Sequence, residues 1–140
     1  MGKAVEKISV KLLQIVCVLI FIVITVSGLH AQARVGSKAT DIATEFSHKG
    51  IQYDRANDGT RYLWYSDKSV FVGYYLDENS ICTSTIIIPN SQGVLNWYCE
   101  KFNKEAVIIS DTQWKLYTKG GVMYIQLIYT DDGAYYFRLY

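Results

Sequence analysis

Residues that build metal sites and nucleophilic active sites are scarce in this sequence. Its 140 residues include two histidines and three cysteines, and these are not clustered at the spacing of zinc ligands. The motifs G-x-S-x-G and H-E-x-x-H and a phosphate-binding glycine loop are also missing. The sequence therefore predicts no catalytic residue, no metal and no cofactor.

The N-terminus has the order of a secretory signal peptide. Three lysines among the first 11 residues precede an apolar run over residues 12–26, and Ala31 and Ala33 then occupy the small-residue positions of a cleavage site. An uncleaved membrane anchor is the alternative, but an anchor needs about 20 apolar residues, more than this run supplies. We expect residues 1–33 to be removed after Ala33 and the protein to be exported, to the periplasm or beyond the cell.

The remaining residues 34–140 have almost no net charge. Loss of three lysines and one glutamate leaves 11 basic and 12 acidic residues, a formal charge of −1. Such a balance gives no reason to expect nucleic acid or an acidic membrane surface as a partner. After signal cleavage, no stable membrane insertion is expected. The 107 residues are the size of one domain. Their single histidine, His48, fits a solvated helix surface better than a catalytic base.

Hydrophobic periodicity divides this domain into two similar units. Residues 35–50 have helical spacing, and so does the stretch GVLNWYCEKFNKE after the only proline, Pro89. Strand-like runs bounded by turn residues follow each helix. These runs are residues 61–66, 70–76, 81–88, 112–118, 121–129 and 134–140.

Several positions in the two units match at a constant spacing of 52 residues, for example Tyr65 with Tyr117 and Val70 with Val122. The interpretation is an α+β domain, a tandem αβββ-αβββ repeat with units at about 35–89 and 90–140. It predicts one mainly antiparallel six-stranded sheet with two helices on one face, each unit being too small to fold alone. A chance likeness between two antiparallel meanders is the alternative.

The arrangement of duplicated helix-plus-three-strand units behind a signal peptide resembles small secreted bacterial proteins of unknown function. In architecture it is also similar to secreted inhibitors built from tandem helix-and-sheet repeats, the β-lactamase inhibitor protein family. Most of residues 35–140 take part in the likeness. It rests on no short motif, so it implies a fold and transfers no functional residue.

Alternation along the strands predicts which face is covered and which is open. The 52-residue spacing aligns the first two strands of each unit, and alternation alone sorts the third. The set expected beneath the helices includes Tyr62, Trp64, Phe71, Gly73, Tyr75, Cys82, Ser84, Ile86, Ile88, Trp114, Leu116, Met123, Ile125, Leu127, Tyr135, Phe137 and Leu139. The opposite set should face water and forms the candidate binding surface. Its members are Tyr65, Tyr74, Lys115, Tyr117, Tyr124, Gln126, Tyr136, Arg138 and Tyr140.

Two interpretations of this tyrosine-rich face stand side by side. Tyrosine is a good strand former and pairs well across strands, which would make the face purely structural. Tyrosine and arginine are also enriched where proteins bind partners. The favoured function is non-catalytic recognition of a protein or peptide, of which inhibition is one form. A glycan or small-ligand binding module is the alternative, and a small enzyme with an unrecognised site comes third.

Two further expectations concern local chemistry. The acidic pairs Asp77-Glu78 and Asp131-Asp132 fall in predicted hairpin turns, where aspartate is favoured for its local hydrogen bonds. Cys82 and Cys99 remain after signal cleavage and are expected to share the helix-covered side, so an oxidising compartment favours a disulfide between them. Two buried free thiols are the alternative.

Overall fold

The computed structural model describes residues 33–140, which form one antiparallel sheet of eight strands and two helices. The predicted signal peptide lies outside the described residues except for Ala33, so its cleavage stays a prediction. Over residues 33–140, neither helix has both the length and the hydropathy that crossing a membrane would require.

Along the chain, one helix is followed by four strands, and this order occurs twice. Their bounds are α1 Ala39–Glu45, a 3-10 turn Ser47–Lys49, β1 Gln52–Arg55, β2 Arg61–Ser66, β3 Val70–Leu76, β4 Cys82–Pro89, α2 Gln92–Glu105, β5 Val107–Ser110, β6 Gln113–Thr118, β7 Gly121–Tyr129 and β8 Tyr135–Leu139. The strand order across the sheet is β1-β2-β3-β4-β8-β7-β6-β5, and every neighbouring pair is antiparallel.

This order places the last strand of each helix-plus-strands segment at the centre of the sheet. β4 and β8 pair through Thr85 with Leu139, Ile86 with Arg138 and Ile87 with Phe137. The first strands, β1 and β5, become the two edges. The sheet is therefore continuous, and its middle is made where the two segments meet.

The α+β class and the single antiparallel sheet are confirmed, but the prediction of six strands is wrong. The two additional strands, β1 and β5, lie outside the six strand-like runs that the sequence predicts. Each has four residues, all of them exposed. A short exposed strand has no alternation of apolar and polar residues, because it buries neither face. Pairing with one neighbour makes these segments strands, and periodicity does not report pairing.

Both helices pack aromatic residues against the same face of the sheet, called here the covered face. Ser91 caps α2, its hydroxyl accepting a bond from the Val94 amide at 3.3 Å. From α2, Phe102 meets Phe137 with ring centroids 5.0 Å apart. Phe46, the residue that ends α1, stacks on Tyr65 at 5.5 Å and also on Tyr74.

The core beneath the helices is aromatic and aliphatic. In the first segment, its strand residues are Leu63, Tyr65, Val70, Val72, Tyr74, Leu76, Thr85 and Ile87. In the second they are Trp114, Leu116, Met123, Ile125, Leu127, Phe137 and Leu139. The predicted covered face is thus correct for these residues of the second segment. In the first segment it is reversed, because the opposite face of the sheet holds Tyr62, Trp64, Phe71, Gly73, Tyr75, Ser84, Ile86 and Ile88.

The reversal in β2 and β3 comes from a spacing error of one residue. In β4, Ile86 was grouped with Phe137, whereas the pairing of β4 with β8 places Ile86 opposite Arg138. Asp67 and Val70 flank the turn between β2 and β3, their backbones bonded at 3.0 Å, while Thr118 and Gly121 pair across the turn between β6 and β7. These equivalent turns are 51 residues apart, whereas the sequence comparison used 52. A slip of one residue moves every side chain of a strand to the other face.

The predicted disulfide is wrong, since Cys82 and Cys99 are both free thiols. Seven residue steps along β4 separate Cys82 from Pro89 by about 23 Å. Seven steps along α2, from Gln92 to Cys99, cover only about 10 Å. A helix that started above Pro89 and ran straight back along the strand would therefore fall short of Cys82.

Burial of Cys82 itself is as expected, although a bulge produces it. Tyr75 pairs with Ser84, but Leu76 pairs with Cys82, so Thr83 is left without a pairing partner in the β3–β4 register. The extra residue returns Cys82 to the covered side. Burial raises the pKa of its thiol to about 11.

Candidate binding face

The face of the sheet opposite the helices, called here the open face, has no helix from residues 33–140 packed on it. Strand pairing places on it Tyr62, Trp64, Phe71, Gly73 and Tyr75 from β2 and β3, Ser84, Ile86 and Ile88 from β4, Tyr136 and Arg138 from β8, and Lys115, Tyr117, Val122, Tyr124, Gln126 and Ile128 from β6 and β7. Tyr140 bonds to Tyr124 through both backbone groups and so extends β8 on the same face.

Two of the nine predicted binding residues do not lie on this face. Tyr65 is 3% exposed and Tyr74 is 0% exposed, and Phe46 stacks on both rings from the helix side. The one-residue slip placed them on the wrong side. The Tyr74 hydroxyl also has no hydrogen-bond partner within the described residues, and burial raises the pKa of Tyr74 well above its ordinary value. Both residues belong to the core and are not part of the candidate binding face.

The other seven predicted residues share the open face and stand on three neighbouring strands. Lys115 and Tyr117 come from β6, Tyr124 and Gln126 from β7, and the remaining three from β8 and its extension. Those three are Tyr136, Arg138 and Tyr140. The structure therefore brings these seven together as one half of the face.

The other half of the face consists of residues that the sequence interpretation placed in the core. Tyr62 stacks on Tyr75 at 5.3 Å and Trp64 stacks on Phe71 at 5.6 Å between ring centroids. Gly73 lies among these rings, and a Cβ built there would come within 3.3 Å of Phe71. The spacing of the two-residue turns, Lys68-Ser69 and Lys119-Gly120, is the signal that could have identified this half.

A shallow depression of about 360 Å³ lies where the two halves meet. β4 contributes Ser84, Ile86 and Ile88. Tyr75 borders the depression on one side and Tyr136 and Arg138 border it on the other. Its walls are mostly apolar and it is open to solvent, which suits one or two inserted side chains better than an enclosed small molecule.

The charged side chains of the inner strands on this face are both cationic. The Lys115 amine lies 5.0 Å from the centroid of the Tyr117 ring, and the Arg138 guanidinium lies 5.2 Å from that of Tyr140. Tyr140 in turn stacks on Tyr124 at 6.0 Å. A hydrogen bond to Tyr117 raises the pKa of Lys115, so the amine stays protonated at neutral pH.

The acidic pairs that the sequence places in hairpin turns do form turns. The Asp77 carboxylate accepts hydrogen bonds from the amides of Asn79 at 2.9 Å and Ile81 at 2.8 Å. Asp132 accepts from the hydroxyl of Thr130, which lowers the pKa of its carboxyl. Both carboxylates already accept hydrogen bonds within their own turns, as expected of turn aspartates. Within residues 33–140, no group of three or more Cys, His, Asp or Glu side chains could hold a metal ion.

A second depression, of about 400 Å³, lies between the β2–β3 turn and the start of α2. Its acidic residue, Asp67, pairs with Lys49 at 3.3 Å and accepts a bond from the Ser69 amide. Its most exposed ring, Trp97, is covered on one face by the Lys101 amine, 4.8 Å from the ring centroid. Because these groups already have partners, this depression is a weaker candidate than the open face.

Comparison with protein-family models, with curated proteins and with solved structures finds no match to this chain.

Proposed function

We propose that this protein is a non-catalytic binding domain that recognises another protein or a peptide through the open face. The observation that carries the proposal is the aromatic and aliphatic surface that spans the inner strands of the sheet. Soluble proteins seldom leave a continuous apolar surface of this kind in water, and such surfaces are typical of interaction sites. Ile88, Val122, Tyr124 and Tyr140 on it are each more than 40% exposed.

The arrangement of the rings favours a protein partner over the glycan alternative. Sugar binding uses free ring faces, but the rings of this surface stack on one another in the pairs Tyr62–Tyr75 and Tyr124–Tyr140. The Arg138 guanidinium covers Tyr140. What remains presented is a mixture of ring edges, hydroxyl groups and aliphatic side chains, which is the composition of protein interfaces.

The strand order supports the further proposal that the domain is a tandem duplication. Residues 39–89 and 92–139 each run from a helix through four strands. The antiparallel pairing of β4 with β8 relates the two segments by a two-fold arrangement about the Ile86–Arg138 pair. With four strands in each, the repeated unit is αββββ in place of the αβββ predicted from sequence.

Export completes the proposal. The signal peptide would carry residues 34–140 out of the cytoplasm, to the periplasm or beyond the cell, where a small domain can act on a partner by occupying its surface. Inhibition is one outcome of such binding. The resemblance to tandem-repeat inhibitors is consistent with this role and adds no residue to it.

Co-purification with matched variants tests the proposal. The protein, produced from its full sequence, is cross-linked to an envelope extract, and bound proteins are identified by mass spectrometry. The triple variant Ile88→Ser, Tyr124→Ser, Tyr136→Ser should lose a partner that wild type retains. All three residues lie on the open face.

The control variant Tyr53→Ser, Trp97→Ser, Tyr129→Ser removes exposed aromatic rings that lie off the open face. It should retain the partner. Equal binding by both variants would contradict the proposal, and equal unfolding midpoints would show that both sets of proteins are folded.

A further inference from the structure

The open face is aromatic over both halves, but its cations lie on only one. On the inner strands its charged residues are Lys115 and Arg138, and its acidic residue, Asp54, lies on the edge strand β1. The half built from β2 and β3 presents rings without charge. The face therefore carries a local excess of positive charge although the whole chain is nearly neutral, with a formal charge of +1.

No carboxylate among residues 33–140 pairs with either cation. The two ion pairs found there join Arg34 to Glu45 and Lys49 to Asp67, both away from the open face. Lys115 and Arg138 instead lie against the rings of Tyr117 and Tyr140. A ring holds a cation in place without neutralising it.

The two cations lie on opposite sides of one pair of rings. Lys115 is opposite Tyr124 in the register of β6 and β7, and Arg138 lies over Tyr140, which stacks on Tyr124. A segment that crosses these two rings would pass between an ammonium on β6 and a guanidinium on β8. Arginine binds carboxylates strongly because its planar N–H donors match both oxygens.

Arg138 also borders the apolar depression formed by Ile86, Ile88 and Tyr136. A segment that inserts an apolar side chain there would have its neighbouring residues close to the Tyr124–Tyr140 pair. Anchors of this kind, an apolar group in a pocket beside a charged pair shielded from water, supply most of the binding energy of many interfaces.

We propose that the partner of the open face is a protein segment that combines an apolar anchor for the depression with acidic side chains over the Tyr124–Tyr140 pair. This inference rests on the proposed function and deepens it, since it specifies the chemistry of the partner. Charge complementarity selects an acidic segment over a basic or neutral one.

Selection from a displayed library of random dodecapeptides tests the inference, and it needs no identified partner. The library is selected against wild-type protein, against Lys115→Gln, Arg138→Gln, and against the matched variant Lys68→Gln, Lys119→Gln. The matched variant removes two exposed lysines at the β2–β3 and β6–β7 turns. Far-ultraviolet circular dichroism and unfolding midpoints should be the same for all three proteins.

Wild type and the matched variant should enrich peptides that contain Asp or Glu next to an aromatic or aliphatic residue. The Lys115→Gln, Arg138→Gln variant should lose this acidic preference. A synthetic peptide from the wild-type selection should bind that variant at least about tenfold more weakly. Replacing the peptide's acidic residues by Asn or Gln should weaken its binding to wild type by a similar factor.

Three outcomes would overturn the inference, and they differ in what they say about the proposed function. Peptides that bind the open face without acidic preference would refute the charge argument and leave the proposed function standing. If no selected peptide depends on Ile88, Tyr124 or Tyr136, both fail together. Binding of anionic lipid vesicles or sulfated polysaccharide through the two cations, with no peptide enriched, would assign the face to another class of ligand.

Discussion

Tyr74 in β3 and Tyr124 in β7 show how strongly the two faces of this sheet differ. Tyr74 is 0% exposed beneath α1, with no hydrogen-bond partner for its hydroxyl within residues 33–140, whereas Tyr124 is 41% exposed beside Lys115 and Tyr140. The residue type is the same and each lies inside its strand. The face of the sheet therefore decides the role of a tyrosine here, and a count of tyrosines does not. Rings under the helices stabilise the fold, while rings on the open face are available to a partner.

The largest expected difference between the two faces is the stability lost when a side chain is truncated. Two adjacent residues of β8 allow this comparison. Phe137 is 0% exposed among Phe102, Tyr98 and Trp114, and Tyr136 points to the other face. Phe137→Ala should lower the free energy of unfolding by about 3–5 kcal/mol, because it leaves a cavity in the core. Tyr136→Ala should cost about 1 kcal/mol.

Denaturant unfolding of both variants measures this difference. Equal losses from Phe137→Ala and Tyr136→Ala would mean that the open face is a second core, buried by something outside residues 33–140.

Thiol reactivity compares the covered side of the sheet with the surface of α2. Cys82 is 1% exposed and its pKa is raised by burial to about 11, so little thiolate exists at pH 8. Cys99 is partly exposed, and burial raises its pKa as well. In native protein we expect Cys99 to react with a thiol reagent at least about tenfold faster than Cys82, because reactivity follows thiolate population and access.

Unfolding without a reductant should make both thiols reactive. If neither Cys82 nor Cys99 reacts in the unreduced, unfolded protein, the two are joined after all, and the placement of α2 relative to β4 is incorrect.

The smallest expected effect is removal of one hydroxyl from each face. Tyr74→Phe deletes a buried hydroxyl that has no hydrogen-bond partner within the described residues, so stability should stay the same or rise by up to about 1 kcal/mol. Tyr124→Phe should change stability by less than about 0.5 kcal/mol, since its hydroxyl is on an exposed ring. A loss above about 1 kcal/mol for Tyr74→Phe would indicate that its hydroxyl is bonded, for example to a buried water.

Sequence patterning was sufficient for the helix and the inner strands of the second segment. In β6 and β7 one parity is uniformly apolar, with Trp114, Leu116, Met123 and Ile125, while the other mixes Lys115, Gln126 and tyrosines with Val122 and Ile128. Because only one face of such strands can be buried, the assignment was correct. Helix α2 was also predicted, and its buried residues are Leu95, Tyr98 and Phe102.

In the first segment, the alternation of apolar and polar residues did not distinguish the two faces of the strands. β2 and β3 carry large apolar residues on both parities, as in the run Tyr62 to Tyr65 and the run Phe71 to Leu76. Either face could be core, and the choice then depended on an alignment with the second segment that was one residue out. Strands with apolar residues on both sides need a register, which turn geometry supplies and periodicity does not.

The edge strands were missed and the disulfide was wrongly predicted for related reasons. β1 and β5 are defined by their pairing with β2 and β6, which is a contact between segments and leaves little mark on four exposed residues. Cys82 and Cys99 were expected on the same side of the sheet and in an oxidising compartment. A strand rises more per residue than a helix, however, and this difference keeps the two cysteines apart. Both errors concern distances between elements, which composition and parity do not contain.

Hydroxyl-radical footprinting, read by mass spectrometry with and without an excess of a library-selected peptide, tests the central claim most directly. That claim is that the open face is the binding surface. Binding should protect Tyr75, Tyr136 and Tyr140 from oxidation and leave Tyr53, Tyr129 and Trp97 as reactive as in the free protein, with Tyr74 unreactive in both. Protection of Tyr53, Tyr129 or Trp97 with the open-face rings unchanged would contradict the account, because it would place the partner elsewhere on the molecule.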